Sequence, residues 1–215
     1  MNLEKNIEFA VQHGILSHID YYFNHDLMNE DEHENLCELS AMYGQKHILE
    51  WAINHGFEWN IWVTARLAEY GHLDILKWAR EQGCPWNSFT CAFAANTGQL
   101  EILKWLKSQG CPWDSFTCAM AMKGGQLETL KWLKSQGCPW DSACCSYASS
   151  SLEVLKWSIQ NGCPWDSWVY IESINNNSIE VFKWARKQGY PYSFVKQVCM
   201  SLAKGKEGWT NDVLE

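Results

Sequence analysis

Hydrophobic and polar positions along this chain form two helical patterns that follow one another. The segment FTCAMAMK, residues 116–123, has small or apolar residues on nearly every face, which is typical of a helix buried on several sides. The segment QLETLKWLKSQ, residues 126–136, instead places leucines on one stripe and Glu and Lys on another. Glycines separate and end the two segments. The pattern therefore predicts a helix, a tight turn, a second helix and a short loop.

Both patterns return along the chain at a nearly fixed period. A tryptophan of the second predicted helix recurs in steps of 27, 27, 27, 25 and 27 residues, at Trp51, Trp78, Trp105, Trp132, Trp157 and Trp184. A second aromatic residue follows the same steps, at Trp59, Trp86, Trp113, Trp140, Trp165 and Tyr192. Because so short a unit cannot bury its own apolar surface, it must stack on copies of itself.

We therefore predict an all-α solenoid of stacked helix-turn-helix repeats without long hairpins. Residues 1–33 form a degenerate N-terminal capping repeat and residues 194–215 a C-terminal cap in this prediction. Six repeats lie between them, at 34–60, 61–87, 88–114, 115–141, 142–166 and 167–193. The fifth is two residues short, so we expect a shorter first helix or a tighter turn there. In the sixth, Asn177 replaces the mid-repeat glycine, since Asn tolerates a left-handed backbone.

Composition and charge narrow the class of protein. The chain has 215 residues, 47% of them hydrophobic, and no run approaches the ~18 apolar residues of a membrane helix. Ten cysteines without a secretory signal pattern indicate a reducing compartment, so we expect a cytoplasmic protein. The net charge is −8, and residues 1–60 alone carry −9. Because no region is basic, we expect neither nucleic acid nor membrane as a partner.

Few residues of the sequence suggest a catalytic or metal-binding site. The sequence has no motif of a nucleophilic, phosphate-binding or zinc-dependent enzyme, so no catalytic residue, metal ligand or cofactor is predicted. Most of the cysteines fall into two columns, Cys84, Cys111, Cys138, Cys163 and Cys37, Cys91, Cys118, Cys145. Within a column they lie one repeat apart, roughly 10 Å, so we expect small buried hydrophobes. The recurring tryptophans are expected in the core between repeats.

The segment FTCAFAANTGQLEILKWLKSQGCPWD, residues 89–114, resembles an ankyrin repeat. Ala94 and Ala95 match the paired alanines of that pattern, Gly98 its central glycine, and GCPWD its closing GADVN. The opening T-P-L-H is absent, and the unit is about six residues shorter than the ~33-residue ankyrin repeat, which removes the hairpin. The CPWD motif is similar to that of short ankyrin-like repeats, which are abundant in proteins of giant viruses and some protists. The resemblance implies a binding scaffold.

Positions that change from repeat to repeat are the candidates for binding. The last residues of the first predicted helix vary most, and they match ankyrin positions that often face the ligand. Two mid-helix residues, Arg66 and Glu172, also depart from their column, whose apolar members are expected in the core. The candidate binding residues are Met42, Tyr43, Arg66, Glu69, Tyr70, Asn96, Thr97, Lys123, Glu172, Asn175 and Asn176. Neutral drift at exposed positions explains the same variation, and both interpretations stay open.

The function expected from these observations is a non-enzymatic scaffold for protein–protein interaction. In this interpretation the chain is a viral ankyrin-like protein that engages a host protein, and it is a monomer. The alternative is a structural or self-assembling component of the virion type, in which the stacking ends join copies of the chain. Size-exclusion chromatography with light scattering distinguishes the two interpretations, since only the self-assembling component forms concentration-dependent oligomers.

Overall fold

The computed structural model describes residues 6–189 and 192–209. Within those ranges the chain is all-helical, with fifteen α-helices, one short 3-10 turn and no strand. The parts of the two predicted caps at residues 1–5 and 210–215 lie outside the described residues. The all-α prediction is therefore confirmed for the part of the chain that the structure describes.

Most of the helices are nine residues long and come in pairs. The helices are α1 Asn6–Gln12, α2 Leu16–Asn24, α3 Glu30–Met42, α4 Lys46–Asn54, α5 Ile61–Glu69, α6 Leu73–Glu81, α7 Ser88–Asn96, α8 Leu100–Ser108, α9 Ser115–Lys123, α10 Leu127–Ser135, α11 Ser142–Tyr147, α12 Leu152–Gln160, α13 Trp168–Asn175, α14 Ile179–Lys187 and α15 Lys196–Ala203. We call the odd-numbered ones first helices and the even-numbered ones second helices.

The chain divides into two compact units. The first unit holds residues 1–94 and 101–112, and the second holds residues 95–100 and 113–215. In the first unit α3 packs on both α1 and α5, and in the second unit α11 and α13 pack in a row with α9 and α15. First helices thus stack on first helices within each unit, and most of them also contact the following second helix. This is the packing of a helical solenoid, as predicted.

Side-chain caps fix where several first helices begin. The carboxylate or amide oxygen of Asn60, Asp114 and Asp166 accepts a hydrogen bond from the backbone N–H two residues on, at 2.9 to 3.0 Å. Such a cap satisfies one of the amides that the first helical turn leaves without an intrahelical partner. In each case the capped amide belongs to an aromatic residue. The caps therefore place an aromatic side chain at the start of these first helices.

The irregular repeats have the local structure that their sequences predict. In the fifth predicted repeat α11 has only six residues and passes into the 3-10 turn Ala148–Ser150, which confirms the shorter first helix. Asn177 has a φ of 53°, the left-handed conformation expected where it replaces glycine. The division into six repeats with the stated bounds stays a prediction.

One turn depends on the absence of a side chain. Gly124 ends α9 in a right-handed helical conformation with φ −75°, so its backbone alone does not require glycine. A Cβ atom there would however lie 1.8 Å from the backbone oxygen of Asn96, which is far inside any real contact. Gly124 therefore lets two turns of the second unit approach each other closely.

Leucines of the second helices and small residues of the first helices form the core. Leu103, Leu106, Leu130 and Leu133 are completely buried. Burying such a side chain contributes about 1.5–3 kcal/mol relative to leaving it in water. On the opposite side of the second helices, lysines stay in solvent beside glutamates three residues earlier, as at Lys131 and Glu128. The predicted inside and outside of these helices are confirmed.

The recurring tryptophans form a seam on the second-helix side. The tryptophan in the loop that ends one predicted repeat packs on the tryptophan in the second helix of the following repeat. The centroids of the two rings lie 5.5 to 6.1 Å apart. The pairs are Trp59–Trp78, Trp86–Trp105, Trp113–Trp132, Trp140–Trp157 and Trp165–Trp184. The rings thus pack between neighbouring repeats, as expected, but all ten are half-buried and not fully enclosed in the core. The physical reason is that the leucines already fill the interior, and the rings close the surface over them.

Candidate binding surface

Each unit, taken by itself, carries partly exposed aromatic side chains on its first helices. We call these six residues the first-helix face: Trp62, Phe89, Phe93, Phe116, Tyr147 and Trp168. Trp168 is 57% exposed and Tyr147 38%, and the other four are half-buried. Phe93 and Tyr147 belong to the mid-helix column whose apolar members were expected in the core, and neither is fully buried. The other four occupy the first or second position of their helices, and that position is the sequence signal that identifies them.

In the first unit the aromatic residues of this face contact one another. The rings of Trp62 and Phe89 are stacked with centroids 5.4 Å apart, and Phe93 meets Trp62 edge-on at 6.1 Å. Stacked and edge-on pairs of this kind add stability beyond the area that they bury. These contacts hold a rigid aromatic patch at the surface.

Arg66, a predicted site residue, lies beside that patch and is bound within the chain. Its Nε donates to the Glu38 carboxylate and a terminal nitrogen to that of Glu69, both at 2.8 Å. Its guanidinium also lies over the Phe93 ring, 5.5 Å from the centroid. Partial burial lowers the pKa of Arg66, but hydrogen bonds and charges of Glu69 and Glu38 outweigh it, so the pKa is raised overall. The face thus holds a guanidinium between an aromatic ring and two carboxylates.

The other predicted residues of the first unit lie at the ends of α3 and α5. The Tyr43 hydroxyl donates to the Glu8 carboxylate at 3.3 Å. Desolvation and the nearby Glu8 charge raise the pKa of Tyr43, so the phenol stays neutral at physiological pH. Tyr70 is 48% exposed, and Met42 is half-buried. These residues present one hydrogen-bonded and one open phenol at the turns.

In the second unit the first-helix face contains a pocket of about 350 Å³. Its walls are Ala143, Ser146, Tyr147, Asp166, Trp168 and Glu172. Glu172, another predicted site residue, is half-buried and accepts a 3.4 Å hydrogen bond from the Asn175 amide. The pocket thus combines two aromatic rings with two carboxylates, and among the described residues that line it none is basic.

The remaining predicted residues of the second unit lie at turns. The side chains of Thr97, Lys123, Asn175 and Asn176 are exposed and that of Asn96 is half-buried. The Asn176 amide donates to the Ser149 hydroxyl at 2.9 Å, so this side chain ties neighbouring repeats together. The structure therefore brings Glu172 and Asn175 together and leaves the others spread along the turns. Their role in binding stays a prediction.

All ten cysteines are buried thiols. The repeat spacing separates cysteines of one column, but the structure brings members of different columns together, at Cys118 with Cys138 and Cys145 with Cys163. Burial raises the pKa of Cys37 to about 11 and that of Cys84 to about 12, so these thiols are poor nucleophiles at neutral pH. No group of three or more His, Cys, Asp or Glu residues within the described ranges could hold a metal ion.

No described helix is both long and apolar enough to cross a bilayer. No family model and no curated protein matches the chain. Among solved structures, the chain is similar to the pentatricopeptide repeat protein PPR10 in complex with an 18-nucleotide psaJ RNA element, with 17% identity and a TM-score of 0.48. The match covers 99% of this chain and 37% of that one. A variant of that protein with cysteines replaced by serine, in the same complex, matches equally.

One expectation about partners is contradicted by these matches. Both matched repeat proteins were solved with RNA, so the exclusion of nucleic acid that we drew from charge is wrong. The physical reason is that charge is an incomplete criterion, since aromatic stacking also contributes to binding of single strands.

Proposed function

We propose that this chain is a non-enzymatic binding scaffold whose first-helix face contacts a protein partner. The observation that carries the proposal is the set of partly exposed aromatic rings on that face, led by Trp168 and Tyr147. Tryptophan and tyrosine are enriched in the residues that dominate binding energy at protein interfaces. Both residues lie on helices of the second unit, and groups held on helices lose less conformational entropy on binding than groups on loops.

The second-helix side supports this choice of surface by contrast. Its tryptophans already contact one another, and its cations lie against them, as Arg80 over Trp86 at 3.9 Å and Lys134 over Trp140 at 3.8 Å. These tryptophans and cations recur from one sequence repeat to the next, and their contacts stabilise the stack of helices. Phe89 and Phe116 recur on the first-helix face, but other positions change between repeats, as Phe93 to Tyr147 and Arg66 to Glu172, and such differences allow recognition of a particular partner.

The viral origin and the cytoplasmic location in this proposal are supported by features of the sequence. The CPWD repeats resemble ankyrin-like repeats of giant viruses, which supports a viral protein that engages a host protein. Ten buried thiols support a cytoplasmic location, because a reducing compartment keeps thiols from oxidising. The predicted residues at the turns, such as Tyr70 and Lys123, would then extend the first-helix face at its rim.

Capture from a eukaryotic cell lysate tests the proposal. Tagged wild-type chain is compared with the double variant Tyr147→Ser with Trp168→Ser and with the control Lys104→Ser with Lys131→Ser on the second helices. Circular dichroism first establishes that all three are folded. We expect the double variant to lose captured proteins that the control retains. Capture that is equal in all three, or that nuclease treatment abolishes, would contradict the proposal.

A further inference from the structure

The pocket in the second unit and the Arg66 site in the first unit are built from the same kinds of group. At Arg66 two carboxylates and the Phe93 ring surround a guanidinium. In the pocket the carboxylates of Asp166 and Glu172 accompany two aromatic rings. Arg66 and Glu172 moreover occupy the same position of their repeats.

The pocket differs from that site in its charge balance. One oxygen of Asp166 accepts a hydrogen bond from the Trp168 backbone N–H, and Glu172 has a weak hydrogen bond from a neutral amide. Among the described residues no Lys or Arg forms an ion pair with either carboxylate. The Trp168 ring beside them is 57% exposed, and an indole face attracts cations more strongly than a phenyl face does.

From these observations we infer that the pocket binds a cationic side chain of the partner, an arginine in preference to a lysine. The guanidinium stacks on Trp168 or Tyr147 and donates to the Glu172 carboxylate, as Arg66 does to Glu69. Arginine is favoured because its flat guanidinium stacks on rings and donates two parallel hydrogen bonds to a carboxylate. This inference rests on the proposed function, since it names the chemistry of the partner's anchoring residue.

Nuclear magnetic resonance of tryptophan side chains tests the inference without knowledge of the partner. The chain is labelled with ¹⁵N at its indoles, and the Trp168 signal is assigned from the variant Trp168→Phe. The probes are three blocked tripeptides with a central arginine, lysine or citrulline between glycines. Citrulline has nearly the shape of arginine but carries no charge, so it isolates the contribution of the cation.

The arginine tripeptide is expected to shift the Trp168 signal saturably. The citrulline tripeptide should bind with an affinity lower by about fivefold or more, because it loses the cation–π interaction and the charge interaction with the carboxylates. Glu172→Gln should weaken arginine binding about two- to fivefold, whereas the control Glu153→Gln on α12 should leave it unchanged. Added salt should weaken binding, since the carboxylates are solvent-accessible.

Equal shifts with citrulline, equal binding by Glu172→Gln, or no saturable shift at Trp168 would each overturn the inference. A single-stranded oligonucleotide that shifts Trp168 more strongly than the arginine tripeptide would also overturn it, because the pocket would then stack bases. The two proposals fail separately. Arginine binding at Trp168 without face-dependent protein capture contradicts the proposed function and leaves only the pocket's preference for arginine, whereas face-dependent capture without arginine binding contradicts the inference alone.

Discussion

The two sides of each helical pair differ in how they use the same residue types. On the second-helix side, tryptophans pack in pairs and cations lie over them, and this arrangement recurs with little change. On the first-helix face the aromatic residues occupy repeating positions, but their identity, exposure and charged neighbours change. Residues that recur with little change hold the second-helix side together, and we propose that the more variable first-helix aromatics are available for recognition.

The largest expected effect comes from the interior behind the second helices. Leu130→Ala removes a completely buried side chain and should lower the free energy of unfolding by about 2–5 kcal/mol. Trp168→Ala, on the first-helix face, should lower it by less than about 1 kcal/mol because the ring is largely exposed. Urea unfolding followed by circular dichroism measures both. Similar losses for the two would show that the first-helix face is structural.

A substitution at the close turn of the second unit should have the next largest effect. Gly124→Ala adds a Cβ atom that meets the Asn96 backbone oxygen, and moving the turn should cost about 1–3 kcal/mol. Lys123→Ala changes the adjacent exposed residue and should cost less than about 0.5 kcal/mol. Thermal melts of the two variants provide the comparison. Equal melting temperatures would mean that the turns do not approach as closely as described.

Buried thiols should lower the free energy of unfolding at alkaline pH. The pKa of Cys37 is raised from its ordinary value of 9.0 to about 11, so the unfolded chain loses this proton first as pH rises. Stability is therefore fully present below about pH 9 and should fall above it, by on the order of 1 kcal/mol per such thiol at pH 10. Urea unfolding at pH 7, 9 and 10 measures the slope. Cys37→Ala should make the slope shallower, and an unchanged slope would contradict a buried thiol.

The smallest expected effect distinguishes the two carboxylate sites. Arg66→Met leaves Glu38 and Glu69 without their cation and should cost about 1 kcal/mol or less, because the group is partly exposed. Glu172→Met should be neutral or slightly stabilising, since it removes a carboxylate without an ion-pair partner among the described residues. Unfolding curves at low salt provide the test. A greater loss for Glu172→Met would show that the pocket carboxylate serves the fold.

Much of the fold follows from the sequence because its determinants are local. The short first helix of the fifth predicted repeat and the left-handed Asn177 each depend on a few neighbouring residues, and the structure confirms both. The leucine stripe of the second helices likewise identifies its buried side.

The first-helix face was not predictable in the same way. The first helices are apolar on nearly every side, so periodicity does not tell which aromatic residue lies at the surface. Whether Trp62 or Trp105 is covered depends on neighbouring repeats that local sequence does not describe. The contact of Cys118 with Cys138 was missed for a related reason, since it joins different parts of the repeat.

Site-specific photo-crosslinking tests the central claim most directly. A benzophenone amino acid replaces Trp168 on the first-helix face in one protein and the exposed Lys131 on the second-helix side in another, and both are irradiated in a eukaryotic cell lysate. We predict a crosslinked protein band from position 168 that is absent from position 131 and resistant to nuclease. Crosslinking from position 131 alone, or a nuclease-sensitive product at position 168, would contradict the claim that the first-helix face binds a protein.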